Sequence, residues 1–211
     1  MRDQLGRRVY PVHRLDKPTS GLLLFALDAT TARLLATQFA DRSVEKSYLA
    51  IVRGWCPDQG RIDHPLREQP DPADSGARQV VAKVHAAVTD YQRLAHVELD
   101  IAVDRYPRTR YSLVLLHPLT GRRHQLRRHM KHISHPIIGD ANHGKGVHNR
   151  FFQQSLGCHR LLLAGVATSF RHPHSGQHLH LKAPPGPEFK SLAARFGWEA
   201  ALEPFDTKIL A

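Results

Sequence analysis

The chain has 211 residues, of which 41% are hydrophobic and 7% aromatic, enough to bury a full core, and a single domain over residues 1–211 is expected. Lys and Arg number 30 against 19 acidic residues, and the resulting net charge of +11 favours a polyanionic partner through counterion release while saying nothing about fold. Two distant cysteines, Cys56 and Cys158, argue against a disulfide framework and fit a reducing cytoplasm; the N-terminus lacks an apolar signal core, and no apolar run approaches the ~20 residues of a membrane span.

In chain order, Gly21–Leu27 (GLLLFAL) reads as a short buried strand. Asp28 is placed to cap the helix that follows, whose apolar face is Ala32, Leu35, Ala36 and Phe39 at i, i+3, i+4 and i+7. Strands are predicted at Tyr48–Val52, Val84–Leu94 and Arg110–His117, and Arg67–Ala77 (REQPDPADSGA) reads as a surface loop. Thr120 can cap a helix from Gly121 to about Lys131. Arg160–Phe170 and Gln177–Leu181 read as a hairpin turned at His172–Gly176. A last helix starts near Pro187, buries Phe189, Leu192, Ala193 and Phe196, and stops at Gly197. Strands outnumber helices, and several connections are too short for a parallel crossover. The class is α+β: a mixed, mainly antiparallel sheet with flanking helices around a cleft.

Three segments carry chemistry. In His13–Gly21 (HRLDKPTSG), Asp16 lies between Arg14 and Lys17, and neighbouring cations favour the charged form of a carboxylate. The same residues are also turn formers, so a plain solvated turn stays open. In Glu45–Gly54 (EKSYLAIVRG), Tyr48 sits in an alternating strand, where core packing is the ordinary role, and Lys46 could be a strand-edge charge. In Thr120–Met130 (TGRRHQLRRHM), Leu126 and Met130 anchor a helix whose other faces carry Arg122, Arg123, Arg127, Arg128 and then Lys131. Cations crowded without an acid repel one another, and an anionic partner relieves that cost. His124, His129, His132 and His135 raise a metal site, but they lack the HExxH pattern and any Cys cluster, so no metal is expected.

Together these strings resemble the HRLDxxTSG, KxYxAxVxG and TGRxHQLRxHM signatures of the RluA family of RNA pseudouridine synthases, in family order. The likeness runs from Val9 through Ala167, and Ile133–Asp140 matches the family's HPIxGD turn, read as structural. The resemblance implies that Asp16 is the essential carboxylate. It implies further that Arg14 helps flip the target nucleotide, that Tyr48 stacks on the flipped base, and that Arg127 pairs with Asp16. Lys46, Arg122, Arg123, Arg128 and Lys131 are then candidate RNA contacts. The stretches GRRHQLRRHMKHI, GDANHGKGVHNR, RYPRTRY and FGW are similar to the branch that modifies uridine 65 of tRNA, and they leave ribosomal RNA as the alternative substrate. Arg105–Arg110 and Gly144–Arg150 read as basic loops suited to flank an RNA stem.

Family members usually carry an upstream strand pair with an NKPxG-like segment. Twelve residues precede His13 here, so an N-terminally shortened form is expected. The reaction is an isomerisation without a redox step, and no Rossmann or P-loop signature is present, so no cofactor is expected. The implied protein is a cytoplasmic, monomeric enzyme acting on RNA and away from membranes. Two rival readings are an RNA binder without catalysis and a metal-dependent nuclease or hydrolase using the histidines. A glycosidase would need a second carboxylate paired with Asp16, and none is evident in the sequence.

Overall fold

The computed structural model describes residues 2–68 and 83–206; residues 69–77 of the expected loop lie outside them. A short helix α1 (Arg2–Leu5) precedes strands β1 (Tyr10–Pro11), β2 (Ser20–Gly21) and β3 (Phe25–Ala26). Helix α2 (Ala29–Ala40) leads to β4 (Glu45–Arg53), β5 (Gln59–Asp63), β6 (Leu66–Arg67), β7 (Val84–His85), β8 (Val88–Leu99) and β9 (Thr109–Pro118). Helices α3 (Gln125–His132) and α4 (Gly146–Leu156) follow, then the hairpin β10 (Leu163–Arg171) and β11 (His178–Lys182). Helices α5 (Pro187–Phe196) and α6 (Glu199–Leu202) and a 3-10 turn at Glu203–Phe205 close the described chain.

Six strands form one antiparallel path in the order β11-β10-β4-β9-β8-β5, and β2 adds to β10 in parallel. The expected mixed, mainly antiparallel sheet with flanking helices is therefore present. Strand alternation sends β4 side chains to two cores. Leu49 and Ile51 join Tyr111, Leu113, Phe152 and Phe189 beneath α4 and α5. Ala50 and Val52 join Val114, Leu116, Leu126 and Met130 beneath α3. Each fully buried Leu, Ile or Phe in these layers contributes roughly 1.5–3 kcal/mol of transfer free energy, which fixes the central strands and the helices that carry the site.

Several expectations need correction. Gly21–Leu27 is no single buried strand: β2 and β3 belong to different sheets, and Leu23 and Leu27 are exposed. The break follows from Gly21, whose φ of +118° turns the chain away after two residues. Helix α2 is capped by Asp28, whose Oδ1 accepts from Thr31 N at 2.8 Å. It buries Leu35 and half-buries Ala32 and Phe39, but Ala36 faces solvent. The supposed loop at Gly144–Arg150 is largely helix α4: His148 and Phe152, at i and i+4, are its buried contacts, and Gly157 at φ +66° ends it. Helix α5 has the expected face, with Gly197 at φ +71° as its stop.

Candidate active site

The Asp16 turn is closed by Thr19 N donating to the Asp16 carbonyl at 2.8 Å. It is tethered on its C-terminal side by β2, where Ser20 and Gly21 pair with Ala164 and Gly165 of β10. A Cβ at Gly21 would lie 2.1 Å from the Gly165 carbonyl oxygen, so only glycine permits this approach. Gly165 in turn pairs with Tyr48 of β4, and a Cβ there would press on the Tyr48 ring at 3.2 Å. Two glycines thus bring the turn of Asp16 beside Tyr48. On the N-terminal side His13 stacks on Phe39 at 4.7 Å, and its Nε2 accepts from Leu24 N at 3.0 Å.

The third segment arrives through α3. The helix starts four residues later than Thr120 capping would place it, because Thr120 and Gln125 are committed elsewhere. Gln125 Oε1 accepts from Thr120 Oγ1 at 2.7 Å and from Arg122 N at 3.0 Å. Its Nε2 donates to Val88 O and Thr89 Oγ1, both at 3.0 Å. All four bonds of this buried amide pin the Thr120–His124 loop to the start of β8. His124, at the helix entry, adopts a left-handed φ of +53°, a sparsely populated conformation for a residue with a Cβ.

From α3, Arg127 reaches back as a two-sided clamp. Its Nε and NH2 donate to Asp140 Oδ2 and Oδ1 at 2.7 and 2.8 Å, and its NH1 donates to Asp16 Oδ2 at 3.2 Å. Asp140 also accepts from the N–H groups of Asn142 and His143 at 2.9 Å each. Burial alone would push the Asp140 carboxyl up, but the Arg127 bonds and those two amides outweigh it and hold it below the ordinary carboxylate value. Burial likewise opposes charge on Arg127, and the two carboxylates more than offset it. The guanidinium is thereby fixed as a cation in a fork geometry suited to carboxylates.

Asp16 and Tyr48 line a cavity of about 560 Å³, with Arg127 in its wall. Arg14, Lys46, Arg122 and Arg123 line the same space, so seven sequence-selected residues converge on it. Arg14 is exposed at the rim. Burial lowers the pKa of Lys46, whose Nζ lies 5.9 Å from the Phe39 ring centre. The Tyr48 phenol is pushed up to about 12, first by burial and then by the Asp16 charge, so it is neutral at pH 7. Arg128 and Lys131 do not line the cavity: Arg128 NH1 donates to the Arg67 carbonyl at 2.9 Å, and Lys131 is exposed.

Two residues near the carboxylate escaped the sequence reading. The sequence places Asp140 in a structural turn, although a guanidinium with five N–H donors needs more than one acceptor. For His124 the sequence suggests phosphate contact or packing, with a metal disfavoured, and no place beside the carboxylate. Its Nε2 lies 4.0 Å from Asp16 Oδ2 and its Nδ1 is 3.1 Å from His143 Nε2; burial lowers its pKa, with Asp16 partly countering that. The other three histidines of the run have separate duties. His129 donates to His64 O at 3.0 Å and accepts from Thr89, His132 stacks on His64 at 3.7 Å, and His135 donates to Arg53 O at 2.9 Å.

An RNA pseudouridylate synthase family model matches residues 1–132. The tRNA pseudouridine synthase C of Vibrio cholerae is 46% identical over 203 residues, covering 96% of this chain and 83% of that protein. The protein of the same name from Pasteurella multocida is 48% identical over 199 residues, covering 94% and 82%. Among solved structures, human RNA pseudouridylate synthase domain containing 1 superposes with a TM-score of 0.67 at 27% identity, covering 87% of this chain and 71% of that one. Sequence and fold thus agree along nearly the whole chain, and it belongs to the RluA family of RNA pseudouridine synthases.

Proposed function

We propose that this chain converts uridine to pseudouridine at position 65 of tRNA, with residues 1–211 working as one catalytic domain, as a monomer, in the cytoplasm and without a cofactor. The observation that carries the reading is the clamp of Arg127, which holds Asp16 at the wall of a cationic cavity. The tRNA target rests on the relatives named tRNA pseudouridine synthase C, at 46 and 48% identity.

The reaction breaks the N1–C1′ bond, turns the uracil and rejoins it through C5, so that a proton leaves C5 and one is gained at N1. A stacked uridine must first be extruded, at a cost of a few kcal/mol. Arg14 at the rim and the cations of the cavity wall compensate this by holding the distorted phosphates. Tyr48 offers an aromatic surface to the extruded base. Asp16 is the reactive carboxylate, acting on the base or sugar as nucleophile or general base. Arg127 engages its Oδ2 and leaves the second oxygen for the substrate. Because Asp140 grips the opposite edge of the guanidinium, Arg127 is already oriented before RNA arrives and needs no reorganisation.

The test is a side-by-side incubation with unmodified tRNA and with protein-free 23S and 16S RNA, followed by mapping of pseudouridine. Product at tRNA position 65 is expected. Product confined to ribosomal RNA would move the chain to another branch of the family, and binding without product on any RNA would overturn the catalytic reading.

A further inference from the structure

A second cavity, of about 470 Å³, opens at the far end of β4 and shares no lining residue with the first. Arg53, Trp55, Tyr106, Arg110 and His148 face it. Tyr48 and Arg53 are five residues apart on one strand, about 17 Å, and the odd spacing sends their side chains to opposite faces of the sheet. The catalytic cavity lies on the α3 face, whereas Arg53 pairs in register with Tyr111, a core residue beneath α4.

Three features of this cavity are unused by the isomerisation. The first is Arg53: it is half-buried, and among the described residues its guanidinium has no hydrogen bond or ion pair. Its neighbours differ, since Arg108 and Arg110 are neutralised by Glu98, Arg108 also by Asp100, and Lys145 by Asp104. Of the arginines that line the cavity, Arg53 is thus the one without an acid partner among the described residues, and its positive charge already bears on Tyr111 and His148.

The second is His148, only 4% exposed yet part of the cavity wall. With Thr109 Oγ1 donating to the Tyr111 hydroxyl, the phenol's own proton is left for His148 Nδ1, 2.9 Å away. In that arrangement the imidazole N–H sits on Nε2. The third is the rim, where Trp55 is 42% and Tyr106 53% exposed, both high for large aromatics. Arg110 lies over the Trp55 ring at 4.1 Å and Arg105 over the Tyr106 ring at 4.9 Å, giving flat cation–aromatic layers.

We propose that this cavity is a nucleotide-binding site, taking a phosphate at Arg53 and the Nε2–H of His148 and a base against the Trp55–Tyr106 rim. A guanidinium and a neutral N–H suit phosphate oxygens, and stacking on aromatic rings accepts any base. The volume falls in the range of small-ligand sites. The nucleotide can be a splayed unit of bound RNA or a free mononucleotide, and the site stands independently of the catalytic reading.

Fluorescence reads it directly, because the chain has two tryptophans and the other, Trp198, is 4% exposed. Titration of the full chain with AMP is expected to give saturable quenching. The quenching should vanish in Trp55→Phe, weaken about tenfold in Arg53→Gln, and be much weaker with adenosine, which lacks the phosphate. Tyr106→Ala, at an exposed position, guards against a folding artefact in the Arg53 variant and should also weaken AMP. If both variants raise KM for an unmodified tRNA transcript without lowering kcat, the ligand is a nucleotide of the substrate. If they weaken AMP alone, it is a free nucleotide. No saturable quenching by millimolar AMP, together with unchanged tRNA affinity in both variants, would overturn the proposal, as would AMP affinity indifferent to Arg53→Gln.

Discussion

At the residue scale the site turns on one guanidinium serving two acids. The family resemblance of two motifs 111 residues apart implies the Asp16–Arg127 pairing, and the 3.2 Å contact lies within the expected salt-bridge reach. The sequence did not reveal Asp140, which lies in a turn rich in Pro and Gly, where an acid most often caps its own backbone. Asp140 does that too, through the amides of Asn142 and His143, and the local role concealed the longer-range one. Asp140→Asn leaves Arg127 buried with one full charge partner instead of two. We expect a loss of about 3 kcal/mol in stability. We also expect kcat to fall at least about tenfold with KM changed less than about threefold, since the variant loosens Asp16 and not RNA contacts. Steady-state kinetics and urea unfolding of the same preparation check both. Unchanged kcat would show that Asp16 needs no such support.

Among the elements, the β2–β10 contact is the least forgiving. Gly21→Ala combines a left-handed φ with a 2.1 Å overlap on the Gly165 carbonyl. The expected cost is about 2 kcal/mol or more, or roughly 4–8 °C in Tm for a chain of this size, together with reduced activity because the Asp16 turn moves. Differential scanning calorimetry would show it; an unshifted Tm would mean that β2 is dispensable. The cations of the third segment are divided: Arg122 and Arg123, in the loop before α3, line the cavity, whereas Arg128 of α3 is bonded to the Arg67 carbonyl. Replacing Arg122 and Arg123 by Ala should flatten the salt dependence of RNA binding by about one unit of log–log slope per lost phosphate contact. An unchanged slope would mean that this face does not meet RNA. Helix α3 was legible because Leu126 and Met130 mark its inward side. Helix α4 was not, since Gly144, Gly146 and Asn149 read as loop chemistry and the tertiary burial of His148 and Phe152 overrode them.

Across the whole molecule, the antiparallel sheet followed from alternating strands and short connections, whereas the splitting of Gly21–Leu27 between two sheets depends on a partner strand some 140 residues away that local pattern cannot name. Charge also acts globally. Burial, the largest cause, lowers the pKa of His148 to about 4, with Arg53 adding to it; His129 and His143 are lowered by burial as well. A folded-state pKa below the unfolded value of 6.5 means that the unfolded chain takes up the proton first. Stability is therefore whole above about pH 6.5 and is lost as pH falls toward 4. For His148 the loss is about 2–3 kcal/mol. Thermal melts from pH 7 to 4 should show this decline, flattened in His148→Gln; equal slopes in both proteins would remove His148 as a cause.

The most direct measurement compares the wild-type protein with Asp16→Asn on one unmodified tRNA, reading both pseudouridine formed and RNA bound. Wild-type protein should form pseudouridine. The variant should form none while its RNA affinity stays within about tenfold, because affinity comes mainly from phosphate contacts that Asp16 does not make. Pseudouridine formed by Asp16→Asn at near the wild-type rate would contradict the assignment of Asp16 as the reactive carboxylate.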